Sequence, residues 1–184
     1  MYSFCRTIQV FHMFLSVREL ELRKIGFDQS FESGQIDFAG EDLEQGSPLH
    51  VTGSAELLPD SGGQLRVWGS YRVEIVAQCD RCLARVRYPL EAEFDLYYRP
   101  ASDMPQEEEV KIDAGDAEIG FYEDGLELED ILLEQVLLAL PMQRVCQSTC
   151  KGICPACGKN RNETECGCKP EVDDRWGALR KLEL

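Results

Sequence analysis

The chain has 184 residues, 43% hydrophobic and 29% charged, a balance that fits one packed domain with a small appended module and excludes two large domains. Its net charge of −15 is uneven: residues 1–143 hold 28 acidic and 11 basic side chains, and residues 144–184 hold six and eight. So acidic a body repels phosphate backbones and suits a basic protein partner, or else a merely solubilising surface.

No apolar run reaches the roughly 20 residues that a membrane helix requires. Near the N-terminus His12 interrupts Phe11, Met13, Phe14 and Leu15, and no small-residue cleavage site follows, so the segment reads as neither signal peptide nor anchor. Met13 is a candidate start, with residues 1–12 an extension and Cys5 incidental. The expected location is the cytoplasm, where nine cysteines point to metal rather than to disulfides.

Residues 15–25 read as a strand or strand pair, followed by a Gly/Ser/Asp-rich stretch. From Pro48 onward Leu49, Val51, Gly53, Ala55 and Leu57 alternate with polar residues, and 59–63 supply turn chemistry. Alternation returns from Leu65 to Ala77 and again from Val86 to Leu96. Three long period-two strands joined by short turns predict an antiparallel meander, curved or barrel-like, with Gly53 and Gly69 at bends. Residues 99–116 form an acidic loop, and Ile119 to Tyr122 suits one more strand. A helix over 127–140 carries Leu128, Ile131, Leu132, Val136, Leu137 and Leu140 at helical spacing, with Glu127, Glu129 and Asp130 at its positive end. Pro141 stops it. Asp173 or Asp174 can cap a short last helix bearing Trp176, Leu179 and Leu182, a stripe for packing on the module or for a partner. The fold class is therefore α+β, mainly β: a domain over 13–143 and a Cys-rich module over 144–184.

Structural zinc takes four thiolates in a tetrahedron. Cys154-Pro-Ala-Cys157-Gly158 is a knuckle whose two-residue gap lets both sulfurs meet one ion, and Cys166-Gly167-Cys168 supplies a second pair. Those four complete one Cys₄ site. Cys79 and Cys82 lie at a strand–strand turn, while Cys146 and Cys150 stand one helical turn apart. Together they suggest a second Cys₄ site, hence two zinc ions. A mixed assignment with Cys146 or Cys150 in the knuckle, an iron–sulfur cluster and a redox-active pair at 79/82 stay open.

Nothing else has catalytic spacing. The two histidines, His12 and His50, neighbour no nucleophile, no nucleotide-binding or hydrolase motif is present, and the carboxylates read as a solvated face. Neither a small-molecule substrate nor a membrane is expected, and an enzyme such as a nuclease or thiol oxidoreductase lacks its constellation. Lys159, Arg161, Arg175, Arg180 and Lys181 are candidates for a local RNA contact, since zinc knuckles can bind single-stranded RNA.

Three marks in this order resemble one family. They are the Cys79-Asp-Arg-Cys82 turn after a long strand, the acidic helix ending in Glu134-Gln-Val-Leu-Leu-Ala-Leu-Pro141, and the cysteine tail with Asp174-Arg-Trp176 beyond it. The chain is similar, over about 15–184, to the YceD-like family of large ribosomal RNA subunit accumulation proteins. That resemblance implies a bacterial factor needed for 23S ribosomal RNA to accumulate, hence a role in large-subunit assembly, and it carries over no catalytic residue, which agrees with the non-catalytic reading of the residues. Together with the acidic body it points to a basic ribosomal protein or a pre-50S particle as partner, while the basic residues of the tail leave direct rRNA contact as the alternative. It also implies Cys79, Cys82 and the tail cysteines as metal ligands.

Overall fold

Strict alternation builds the centre of the fold. In the computed structural model, which describes residues 12–38, 43–104, 119–168 and 175, the elements run in the order β1 (Phe14–Ser16), α1 (Val17–Leu20), β2 (Ile25–Phe31), β3 (Leu43–Gln45), β4 (Leu49–Leu57), β5 (Leu65–Gln78), β6 (Arg85–Pro100), β7 (Ile119–Tyr122), β8 (Gly125–Glu127) and α2 (Leu128–Ala139), with a 3-10 turn at Ala101–Asp103. Strands β4, β5 and β6 are the expected meander. The main sheet has the order β2-β4-β5-β6-β7, β3 pairs with β5, and β1 and β8 make a two-stranded sheet. It is an open sheet rather than a barrel. No helix among the described residues is long and apolar enough to cross a membrane.

Two expectations need correcting. Residues 15–25 hold most of a three-residue strand and a single helical turn, and the first strand of the main sheet, β2, begins at Ile25 and runs on into the Gly/Ser/Asp-rich stretch. Being at the sheet edge, β2 buries only Phe27 and Phe31 and fills its other positions with polar or half-buried residues, which blurs the period. The second correction concerns β7, which pairs with β6 in parallel, Tyr97 opposite Ile119 and Pro100 opposite Tyr122. Residues 101–118 are long enough to carry the chain back for a parallel pairing. The sheet is therefore mixed.

By contact the chain falls into two units, Met1–Val76 with Arg87–Pro141, and Ala77–Val86 with Met142–Leu184. This differs from the contiguous division at 143/144: the turn between β5 and β6 groups with the tail.

In the first unit one face of the sheet and α2 share a core of Leu49, Val51, Leu65, Val67, Ile75, Leu128, Ile131, Leu132 and Val136. The Tyr71 hydroxyl donates to the Gln135 carbonyl at 2.9 Å, adding a polar tie to α2. Helix α2 follows the expected period except at Leu137, which is exposed. Leu140 is extended (ψ 142°), as a residue preceding proline must be. Across the sheet Phe27, Gly53 and Gly69 form one row. A Cβ on Gly53 would lie 2.3 Å from the Trp68 carbonyl oxygen and 2.6 Å from the Phe27 ring. Here β4 and β5 approach so closely that only glycine fits.

The opposite face is polar and charged. Arg66 holds Asp95 through two hydrogen bonds of 2.8 and 2.7 Å and stacks on Trp68, and Arg87 pairs with Glu74. Shallow grooves run over it, lined by Asp28, Thr52, Ser70, Arg72, Glu91 and Glu93.

Candidate metal centre

All eight cysteines named as ligands lie in the second unit, in two sets. Cys79, Cys82, Cys146 and Cys150 have sulfurs within 4.8 Å of one another, as do Cys154, Cys157, Cys166 and Cys168. The pairing that spacing alone left open is therefore drawn by the fold. In the first set Cys79 and Cys150 sulfurs are 3.9 Å apart, and those of Cys82 and Cys146 are 3.6 Å apart. A disulfide would need about 2.05 Å. Four thiolates about 2.3 Å from one tetrahedral ion lie about 3.8 Å from each other, so the spacing fits a metal site.

Each set is built on the same backbone device. In the first, the Leu83 N–H donates to the Cys79 carbonyl at 2.9 Å, and the Cys79 N–H donates to the Ala84 carbonyl at 2.8 Å. In the second, Gly158 N–H donates to the Cys154 carbonyl at 2.8 Å and Cys154 N–H to the Lys159 carbonyl at 2.8 Å. The turn demands a left-handed residue after its second cysteine. Gly158 supplies it with φ 69°, and Leu83 adopts it with φ 61°. The residue pattern 79–82 is thus a second knuckle carrying leucine where glycine is the relaxed choice.

The tail is fastened to this turn by side chain and backbone. Asp80 N–H donates to the Arg144 carbonyl at 2.7 Å, and the Arg144 N–H returns to the Asp80 carboxylate at 2.6 Å. Ile153 N–H donates to the Arg81 carbonyl at 2.9 Å. Gly152, at φ 72°, brings backbone so near that a Cβ would stand 3.0 Å from the Arg81 oxygen. Cys79, Cys82 and Cys150 are buried with Ala84, Val86 and Val145 around them.

Electrostatics within each set call for a cation. Burial pushes the Cys79 thiol up, but N–H groups of Cys82, Arg81 and Cys146 bring it down to about 6. Cys154 also falls to about 6, drawn by the N–H groups of Cys157 and Ala156. The Asn162 amide lowers Cys150. Their neighbours move the other way: Cys146 rises to about 12 under the influence of Cys150, and Cys168 to about 12 under that of Cys157. Four sulfurs cannot all ionise together unless a positive ion sits among them. The residues of each set thus fit a metal ion held by four thiolates.

Asn162 was missed by sequence reasoning. It lies in the loop of the second set, yet its Nδ2 donates to Cys150 Sγ of the first at 3.3 Å, while its Oδ1 accepts Lys151 N–H at 2.8 Å. An asparagine in a turn-rich loop carries no sequence signal of this role. Of the RNA candidates, Lys159, Arg161 and Arg175 are exposed, whereas Arg180 and Lys181 fall outside the described residues. So do the expected terminal helix with Trp176, most of the acidic loop, and Cys5.

The family described as "Large ribosomal RNA subunit accumulation protein YceD" matches residues 67–183, which takes in both knuckles, α2 and the tail. The chain belongs to the YceD family. Among relatives, a Bacillus subtilis (strain 168) protein named "Uncharacterized protein YlbN" is 27% identical over 90% of this chain and 92% of its own length. The Mycobacterium tuberculosis (strain H37Rv) protein Rv2926c, also named as uncharacterized, is 28% identical over 76% of this chain and 64% of its own. An Arabidopsis thaliana protein named "Large ribosomal RNA subunit accumulation protein YCED homolog 1, chloroplastic" is 29% identical over 77% of this chain and 50% of its own. No solved structure matches the chain.

Proposed function

We propose that this YceD-family protein is a non-catalytic factor needed for 23S ribosomal RNA to accumulate, acting in large-subunit assembly by binding a basic ribosomal protein or a pre-50S surface. The family description supports the process, and the charge split carries the mode: 28 acidic against 11 basic residues before position 144. On the polar face of the sheet Asp28, Glu91 and Glu93 are exposed and form no ion pair among the described residues, which leaves carboxylates for a cationic partner. Depleting the protein lowers mature 23S relative to 16S rRNA. An unchanged ratio sinks the reading.

Both cysteine sets hold zinc in this reading, as structural ions that fix the second unit. Metal content per chain tests it: two zinc ions in the wild type, one in Cys79→Ser and one in Cys157→Ser. A loss confined to Cys157→Ser would remove the 79/82 pair from the ligands.

A second reading, direct rRNA contact through the knuckle, draws on exposed Lys159 and Arg161, neither of which forms an ion pair among the described residues. It predicts salt-dependent binding of rRNA fragments by the full chain, lost in a Lys159→Glu, Arg161→Glu variant. No binding at low salt dismisses it.

A further inference from the structure

Two carboxylates in the first unit lie where burial calls for a cation, at the corner between β8 and α2. Strand pairing sets Phe14 opposite Glu127, and the Leu128 N–H donates to the Met13 carbonyl at 3.0 Å, which anchors the chain beside the first turn of α2. That places His12 over Glu127 and Glu129. One nitrogen of His12 and one carboxylate oxygen from each glutamate all lie within 4.8 Å of one another.

The glutamates are poorly satisfied. Glu129 is 7% exposed, and its Oε1 accepts the Met13 N–H at 2.9 Å. Its Oε2 is buried and meets no hydrogen-bond partner among the described residues, and the same holds for Glu127 Oε2. His12 Nδ1 stands 3.8 Å from Glu129 Oε1, beyond hydrogen-bonding distance. Two carboxylates this close repel unless a positive charge lies between them, and one backbone N–H does not offset that. The sequence disguised the pair, because acidic residues at a helix start are explained well enough by the dipole.

We propose that His12, Glu127 and Glu129 form a third metal site, taking a divalent first-row cation such as Mn²⁺. One imidazole and two carboxylates form a harder donor set than four thiolates, and their two negative charges match the ion. The exposed side of His12 leaves room for water to complete the coordination. The bound ion tethers the start of β1 to β8 and to the first turn of α2. His12 belongs to the stretch 1–12 that the sequence sets apart as an extension, and here it supplies a ligand.

The test uses the full chain with its thiolate sets already loaded with zinc, titrated with Mn²⁺ and followed by electron paramagnetic resonance. The wild type takes up one Mn²⁺ per chain. His12→Ala and Glu127→Gln each weaken that binding at least tenfold. Far-ultraviolet circular dichroism, dominated by the strand-rich first unit, shows that each variant is folded. His12→Ala removes an exposed side chain, so it keeps the test open if Glu127→Gln fails to fold. A wild type that binds no Mn²⁺ overturns the proposal. Variants that bind as tightly as the wild type overturn it as well.

Discussion

Leu83 offers a sharp test of the knuckle geometry. It holds φ 61° where its counterpart Gly158 holds φ 69°, and 57% of its surface is exposed. A left-handed conformation costs an L-residue about 1–2 kcal/mol and costs glycine nothing. Glycine's greater freedom in the unfolded chain takes back about 0.5–1 kcal/mol. Replacing leucine directly with glycine would mix this gain with lost packing, so the informative comparison is Leu83→Gly against Leu83→Ala. Both remove the side chain beyond Cβ, and only one removes the strain. The glycine variant should be the more stable by about 0.5–1 kcal/mol, the reverse of the order in ordinary extended backbone. Gly158→Ala should lose a similar amount, although its Cβ would meet nothing within 4 Å. In competition with a zinc chelator the difference amounts to about 2–5-fold in affinity. Urea unfolding of the zinc-loaded chain gives an independent measure. If Leu83→Ala proves as stable as Leu83→Gly, Leu83 is not left-handed and the equivalence of the two turns fails.

Two further predictions follow from the geometry. Cys79 and Cys154 ionise near 6 rather than near 9.0, so their folded values are depressed. Stability from these thiolates is full above the unfolded value of 9.0 and is lost progressively as pH falls through about 6, so metal release, read with a colorimetric chelator, should rise as pH falls across that window; release that does not rise would contradict the assignment. Gly53→Ala puts a methyl 2.3 Å from the Trp68 carbonyl oxygen, a backbone atom that cannot swing aside. It should cost at least about 3 kcal/mol or abolish folding, whereas Gly34→Ala, with open space but φ 90°, should cost only about 1–2 kcal/mol in the same urea titration.

The meander was legible because β4, β5 and β6 each repeat one alternation over nine residues or more, longer than chance patterning. Strands β1, β3 and β8 have three residues each, too few for a period to register. The direction of β7 was hidden for another reason: its four residues look alike in either orientation, and the length of the preceding connection only permits the parallel one. At the cysteines, spacing disclosed both knuckles but not the pairing. Two residues between cysteines report a local turn. That Cys79 meets Cys150, 71 positions away, depends on the hairpin tip and the tail occupying one unit. The buried Glu129 shows the limit of composition, since a charge among many charges gives no hint that it faces inward.

Asn162 carries the consequence that separates two independent metal sites from a coupled pair. Its position in sequence, between Cys157 and Cys166, makes its conformation depend on the second set. Its amide, however, donates to Cys150 of the first set, and Asn160 steadies it by accepting both its backbone N–H at 3.0 Å and its side-chain N–H at 2.9 Å. A hydrogen bond to a charged acceptor contributes about 1.5–3 kcal/mol, and losing an outer partner of a metal ligand typically lowers metal affinity about 10–100-fold. Asn162→Ala should therefore weaken the first site by about tenfold or more and leave the second nearly untouched. Cys157→Ser, which empties the second site, should also weaken the first, because the loop that presents Asn162 loses its anchor. If the amide is the link, the double variant weakens the first site no further than the larger single effect. Cobalt titration follows the first site in the chain with the second set intact and again in Cys157→Ser, and a Cys79→Ser background follows the second site alone. Additive losses would mean that the loop acts through some other contact, and a first site indifferent to both changes would mean that the two ions bind independently.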